Sequence, residues 1–213
     1  MTSARRPTVA LLDYGMGNLH SVGKALEVAG ADVATTADPE VVGESDGVVL
    51  PGVGAFPKAM ERLAELRLDA AVIAAVERGR PLLGICLGLQ LLFDSTDEQG
   101  GAEGLGILPG DVIELVGGGL KVPHIGWARV DWITDSRIRE GIDDGDAFYF
   151  VHSFVPVPGS ENLLATASYG GEFACAAGRD LVFGVQFHPE KSSSSGLRLL
   201  SNFVGIVAEE AEA

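Results

Sequence analysis

Apolar positions fall into two alternating rhythms through the first half of the chain. Residues 8–13 (T-V-A-L-L-D) are an apolar run of strand length, and Gly15 and Gly17 separate it from Leu19, Val22, Leu26 and Ala29, which recur at helical spacing. The same order returns at residues 47–50, a short strand that leads into Pro51-Gly52-Val53-Gly54 and then into an Ala-, Leu- and Glu-rich stretch over residues 56–78 that reads as helix. Residues 82–85 supply another strand, and residues 87–93 read as a further helix. Strands apolar on both faces need cover on both, so this half predicts a parallel sheet between helices.

From Leu105 onward the runs shorten. Turn signals multiply at Pro109-Gly110-Asp111, Gly117-Gly118-Gly119, Asp143-Asp144-Gly145 and Pro156-Val157-Pro158-Gly159, which predicts antiparallel strands. Residues 181–187 read as a last buried strand, and a terminal helix places Leu197, Leu200, Val204 and Val207 on one face. With no internal repeat and no linker, the expectation is one α/β domain over residues 1–213. It should hold a mixed, mainly parallel central sheet flanked by helices, with additional antiparallel strands.

Composition narrows the function classes. Hydrophobic residues make up 46% of the 213 and charged ones 21%, which is the usage of a folded chain and excludes disorder as the main state. With 30 acidic against 15 basic side chains, a formal charge of −15 and no run of Lys or Arg, the chain lacks the basic face that nucleic acids and anionic membrane surfaces require. Its apolar stretches are broken by Pro, Gly or Gln well short of the roughly 20 residues of a membrane span. Residues 1–7 are polar and the apolar run behind them ends without a small-residue cleavage site, so a cytoplasmic location is expected. Cys86 and Cys175 cannot form a disulfide framework, and neither has the CxxC spacing of a metal or redox site.

Three strings carry candidate chemistry. Cys86 lies in Gly84-Ile85-Cys86-Leu87-Gly88, at a predicted strand-to-helix junction between two glycines that permit a sharp turn. This is the setting of a nucleophile elbow, and a helix N-terminus there favours the thiolate. An arbitrary cysteine is more often a small core residue, and that reading stands for Cys175 in Phe173-Ala174-Cys175-Ala176-Ala177. Phe187-His188-Pro189-Glu190 supplies a base and, two residues on, a carboxylate to orient it; His-x-Glu is a weak signal that gains weight only beside the elbow. Pro51-Gly52-Val53-Gly54 offers unobstructed backbone N–H groups of the kind an oxyanion hole needs, although a plain turn accounts for the motif equally well. Gly15-x-Gly17-Asn18 is half of a dinucleotide fingerprint without its third glycine or later acid, so nucleotide binding is not expected there.

Taken together, Gly84-Ile85-Cys86-Leu87-Gly88-Leu89-Gln90 and Gln186-Phe187-His188-Pro189-Glu190 resemble the class I glutamine amidotransferases, whose triad is Cys-His-Glu. Five further strings span nearly the whole chain: residues 13–19 (D-Y-G-M-G-N-L), 51–56 (P-G-V-G-A-F), 121–127 (K-V-P-H-I-G-W), 149–153 (Y-F-V-H-S) and 190–192 (E-K-S). Within the family they resemble the glutaminase subunits of imidazole glycerol phosphate synthase. The resemblance implies a class I glutaminase fold with Cys86 as nucleophile, His188 as general base and acid, and Glu190 as its orienting partner. It places oxyanion donors around Gly52, Val53 and Leu87, lines the glutamine pocket with Gln90, His152 and Ser153, and turns Asn18, His124 and Trp127 toward a partner. It implies glutamine as substrate, no cofactor, no metal, and a heterodimer with a synthase (cyclase) subunit of histidine biosynthesis that consumes the ammonia. The acceptor implied is doubly phosphorylated, and this acidic chain has no basic loop cluster to hold it, so that site should lie on the other polypeptide.

Two departures are visible: Phe154 stands where a tyrosine would be expected after His-Ser, and Pro57-Lys58 replaces Gly-Asp. The alternatives are another glutaminase of the family, serving aminodeoxychorismate, anthranilate or pyridoxal phosphate synthesis, a catalytically silent partner-binding module, or a cysteine peptidase of related topology. The string at residues 121–127 argues against the first, the intact Cys86, His188 and Glu190 against the second, and Glu190 with Gln90 against the third.

Overall fold

Val9 and Leu11 pack to one side of the first strand and Ala10 and Leu12 to the other, and all four are buried. That two-sided burial is what the unbroken apolar run encodes. The computed structural model describes residues 5–212; of the residues 1–7 on which the leader reading rests, 1–4 lie outside the described residues. Along the chain come β1 (Thr8–Leu12), α1 (Leu19–Ala29), β2 (Asp32–Thr36), α2 (Pro39–Glu44), β3 (Gly47–Gly52), α3 (Phe56–Glu65), α4 (Leu68–Glu77), β4 (Leu82–Cys86) and α5 (Leu87–Gln90). The second half adds β5 (Ser95–Thr96), β6 (Ala102–Glu103), β7 (Gly110–Glu114), β8 (His124–Trp132), β9 (Ala147–His152), β10 (Phe154–Pro158), β11 (Leu163–Ser168), β12 (Glu172–Arg179), β13 (Val182–Val185) and α6 (Ser193–Glu212).

Nine strands form the main sheet in the order β2-β1-β3-β4-β13-β12-β11-β8-β9. Pairing is parallel from β2 through β13 and antiparallel from β13 to β9. A smaller sheet, β10-β7-β5-β6, packs alongside. One apolar cluster joins a face of the main sheet to α1 and α6; the other joins the opposite face to α3, α4 and Leu105, Ile107, Leu108 and Val112. The mixed sheet and its helical cover agree with expectation, but the sheet is not mainly parallel: four of its pairings are parallel and four antiparallel, because the strands after β7 return by turns rather than by helical crossovers. Among the described residues no helix is long and apolar enough to cross a membrane.

Three local expectations need correction. The predicted helix over residues 56–78 is two helices, because Arg67 adopts a left-handed conformation with φ 57° and breaks the run. The predicted helix over residues 87–93 is one turn, Leu87–Gln90. The carbonyls of Leu91, Leu92 and Phe93 accept from the N–H groups of residues 105–108 instead of continuing the helix. Leu197 is 41% exposed, and α6 turns Leu199, Leu200, Phe203, Val204 and Val207 to the core. β2 and α2 had no counterpart in the reading of the sequence.

α5 lies so close to the sheet that Gly88 has no room for a side chain: a Cβ there would sit 1.8 Å from the Leu50 carbonyl oxygen of β3. Because the obstacle is backbone, no rotamer relieves it. Gly88→Ala is therefore expected to lose about 3 kcal/mol or more of stability, or to fail to fold. A urea titration checks this, and an unchanged midpoint would show that β3 and α5 part freely.

Candidate active site

The parallel strands β3, β4 and β13 end side by side, with Gly52 opposite Cys86 and Ile85 opposite Val185 in register. Ligand sites of open α/β sheets form at such carboxyl ends. Cys86 closes β4 with φ 57° and ψ −111°, a conformation that a residue with a Cβ adopts only when its surroundings impose it. The sharp turn is thus made by the cysteine itself. Gly84 and Gly88, expected to supply the turn, instead allow close approach: a Cβ on Gly84 would come within 2.6 Å of the Gly88 carbonyl oxygen. With α5 only one turn long, the helix dipole invoked from the sequence has little aligned backbone behind it.

The chain after β13 brings the histidine. His188 Nδ1 lies 3.0 Å from Glu190 Oε1, and the Glu190 side chain is wholly buried. Two hydrogen bonds anchor this loop to β9: the His188 N–H donates to the Tyr149 carbonyl at 2.9 Å, and the Tyr149 N–H donates to Ser192 Oγ at 3.0 Å. Ser192 Oγ in turn donates to the His188 carbonyl at 2.6 Å. With Nδ1 committed to Glu190, Nε2 is the nitrogen left to serve the cavity. Burial pushes the His188 pKa down, but hydrogen bonding and charge from Cys86 and Glu190 outweigh it and carry the value up to about 9.

A cavity of about 370 Å³ opens in front of these groups, and Cys86, His188, Val53, Leu87, Gln90, His152 and Ser153 all contribute to its wall. Gly52 does not. It is buried beside the wall, where a Cβ would lie 2.5 Å from the Tyr14 hydroxyl and 2.9 Å from Leu87 Cβ. Tyr14 donates to the Pro51 carbonyl at 2.6 Å, so the Asp13-Tyr14-Gly15 string supports the underside of residues 51–54. Burial, with the nearby Cys86 charge, raises the Tyr14 pKa and keeps the hydroxyl a neutral donor.

His124, expected to face a partner, is buried. It stacks on Tyr169 and Phe150 at 4.1 and 5.1 Å between ring centroids, and its Nδ1 is 3.1 Å from His152 Nε2. Its side chain therefore acts from within, on a pocket residue. Trp127 is 52% exposed and meets Tyr149 edge-on at 5.9 Å, and the Tyr149 ring centroid lies 5.9 Å from Lys191 Nζ at the cavity wall. Asn18 is half-buried ahead of α1, makes no capping bond with its side chain, and lies away from the cavity wall.

Glu98 lies in no motif that the sequence analysis singled out. Its Oε2 accepts from the Phe56 N–H at 2.8 Å, and it stands in the cavity wall as the acid opposite Lys191 in charge. No short motif connects it to Cys86; only the folding of the segment after α5 brings it there.

Solved structures share this fold. PurLQS from Thermotoga maritima superposes with a TM-score of 0.75 at 18% identity, over 95% of this chain and 99% of that one. A structure described as a glutamine amidotransferase gives 0.73 at 20% identity, over 93% and 98%. The sequence pattern of the family described as glutamine amidotransferase class-I matches residues 10–206. The chain belongs to the class I glutamine amidotransferases. Among curated class I amidotransferase relatives, imidazole glycerol phosphate synthase subunit HisH of Moorella thermoacetica is 51% identical over 93% of this chain and 95% of its own length. The subunit of the same name from Aquifex aeolicus is 50% identical over 91% and 94%. Of the three residues that the sequence reading names as a triad, Cys86 and His188 line the cavity, and Glu190 stands outside its wall, 3.0 Å from His188 Nδ1.

Proposed function

We propose that the chain is the glutaminase subunit of an imidazole glycerol phosphate synthase. It hydrolyses glutamine to glutamate and ammonia through a cysteine thioester. The ammonia passes to a separate synthase (cyclase) subunit, which makes imidazole glycerol phosphate and aminoimidazole carboxamide ribonucleotide in histidine biosynthesis. The observation that carries the reading is near-full-length identity of about one half to HisH subunits, joined to a strained cysteine and a buried His188–Glu190 pair facing one cavity.

In this reading the Cys86 thiolate attacks the side-chain amide carbon of glutamine and the carbonyl electron pair moves onto oxygen. Backbone N–H groups around Gly52, Val53 and Leu87 hold that oxyanion. Collapse expels the amide nitrogen, which takes its proton from the His188 imidazolium and leaves as ammonia. Water, deprotonated by the now neutral His188, attacks the thioester, and the second collapse releases glutamate and restores the thiolate. Gln90, His152 and Ser153 shape the pocket, and the Glu98 carboxylate is the group suited to the α-ammonium of the substrate.

Val53 and Val151 at the cavity wall, with Ile125 and Trp127 on β8 beside β9, leave apolar surface exposed, and Trp127 is the anchor such a surface offers to the synthase subunit. A cytoplasmic site fits two free cysteines and a biosynthetic role. The test is glutamate release by the chain alone, with its partner, and with partner plus an acceptor analogue. Ammonia made without an acceptor is wasted, so low activity alone and strong stimulation in the ternary mixture are expected. A peptide rotation near Val53 that completes the oxyanion site would account for about a hundredfold. High, equal rates in all three would show a preformed site and remove the proposed coupling.

A further inference from the structure

Among the described residues, the Gln186 carboxamide is a side chain that donates to the Cys86 sulfur, and the thiol itself faces the Val151 carbonyl at 3.7 Å. We propose that Gln186 is a catalytic residue whose carboxamide N–H donates to Cys86 Sγ and stabilises the thiolate from behind the cavity. The inference rests on the glutaminase reading and deepens it.

Gln186 follows β13, is fully buried, and holds its Nε2 3.7 Å from Cys86 Sγ. Its orientation is forced by a chain of groups, each with a single possible role. The Phe154 carbonyl can only accept, and Gln90 Nε2 lies 3.0 Å from it, so Gln90 presents its NH2 there. The same nitrogen lies 3.0 Å from Gln186 Oε1 and offers it the second proton. Gln186 therefore spends its oxygen on Gln90 and turns its NH2 to the sulfur. A flipped Gln186 would set two NH2 groups against each other and aim a carbonyl oxygen at the thiolate.

The far end of the chain is fixed in the same way. His152 Nδ1 lies 3.0 Å from the Phe154 carbonyl and so carries the proton, which leaves Nε2 to accept from His124 Nδ1 at 3.1 Å. Burial lowers the pKa of both imidazoles, His152 to about 4, so the pair stays neutral and keeps these tautomers.

A buried N–H gains more from a charged acceptor than from a neutral one, so this donor favours the ionised sulfur. It helps twice in the cycle, once in forming the thiolate and again when the thiolate leaves the second tetrahedral intermediate. Gln186 stands outside the cavity wall and reaches the glutamine pocket through Gln90.

The experiment uses the complex with the synthase partner in a Cys175→Ala background, so that Cys86 is the one thiol of this chain. Gln186→Met removes the donor and keeps the bulk. Gln186→Glu keeps both the shape and the acceptor for Gln90 but turns a carboxylate oxygen toward the sulfur. Alkylation of Cys86 by iodoacetamide at pH 7, followed by mass of the modified chain, should slow roughly tenfold to a hundredfold in Gln186→Met. Its kcat should fall in parallel, and in Gln186→Glu, where Gln90 keeps its acceptor, kcat should fall at least as far with KM for glutamine unchanged. A purely structural role would lower the urea midpoint of both variants and leave alkylation of folded Gln186→Met at the wild-type rate. Wild-type alkylation in a folded Gln186→Met protein, or wild-type kcat in Gln186→Glu, overturns the proposal; if Gln186→Met does not fold, Gln186→Glu decides. Failure of the glutaminase reading itself would show separately, as no glutamate release by the wild-type complex with partner and acceptor analogue present.

Discussion

Replacing Cys86 with alanine is expected to abolish glutamate release while synthesis from added ammonium salts, with the partner subunit present, continues. Among the described residues that line the cavity Cys86 carries the one thiol, so no slower thioester route through this site remains. The ammonia acceptor is expected on the other polypeptide and does not depend on the thiolate. The fold should tolerate the change, because alanine removes only the sulfur from a position already held at φ 57° by β4 and α5. Cys175→Ala should behave as wild type: that thiol is buried in β12 and burial pushes its pKa well up, which keeps it an inert core group. Glutamate release measured for both variants decides the assignment, and equal loss in the two would overturn it.

The second large effect is expected at Glu190. Glu190→Gln keeps the shape but withdraws the charge facing His188 Nδ1 at 3.0 Å. The imidazolium then loses the partner that holds its orientation, and glutaminase turnover should drop about a thousandfold. The pH profile gives an independent reading. With its pKa raised to about 9, His188 keeps the proton that departing ammonia needs through neutral pH, and the wild-type rate should fall as pH rises past that value. In Glu190→Gln that alkaline limb should move to lower pH. Stability follows the same sign: a folded pKa above the unfolded value of about 6.5 adds stability that is complete below that pH and is lost as pH climbs toward 9. Unchanged kinetics and an unmoved limb would mean that another group orients the histidine.

What could be read in the sequence depended on how local its cause was. β1, β3, β4 and β13 were legible because burial on both faces leaves continuous apolar runs. β2 was not, since an edge strand reading D-V-A-T-T is half-exposed and carries no such run. The break between α3 and α4 falls at Leu66 and Arg67, with neither Gly nor Pro to mark it. Within the site, Cys86, His188 and Glu190 sit in short strings whose chemistry is local. Tyr14, Glu98 and the amide of Gln186 act across 37, 42 and 100 residues of chain, and no spacing rule spans those separations. The misplacement of His124 had a remedy in the pattern itself: in a strand, residues three apart face opposite ways, so an outward Trp127 requires an inward His124.

β9 is the last strand of the nine-stranded sheet, and its sequence, A-F-Y-F-V-H, would be a sticky template if its outer edge were bare. The loop that carries His188 and Glu190 lies along that edge and engages both backbone groups of Tyr149, through the His188 N–H and Ser192 Oγ. Catalytic geometry and protection against aggregation are thus one set of contacts. Damage to this loop would remove the enzyme from solution as well as from catalysis, and low yield after substitution at Ser192 would report an uncovered strand rather than an unstable core.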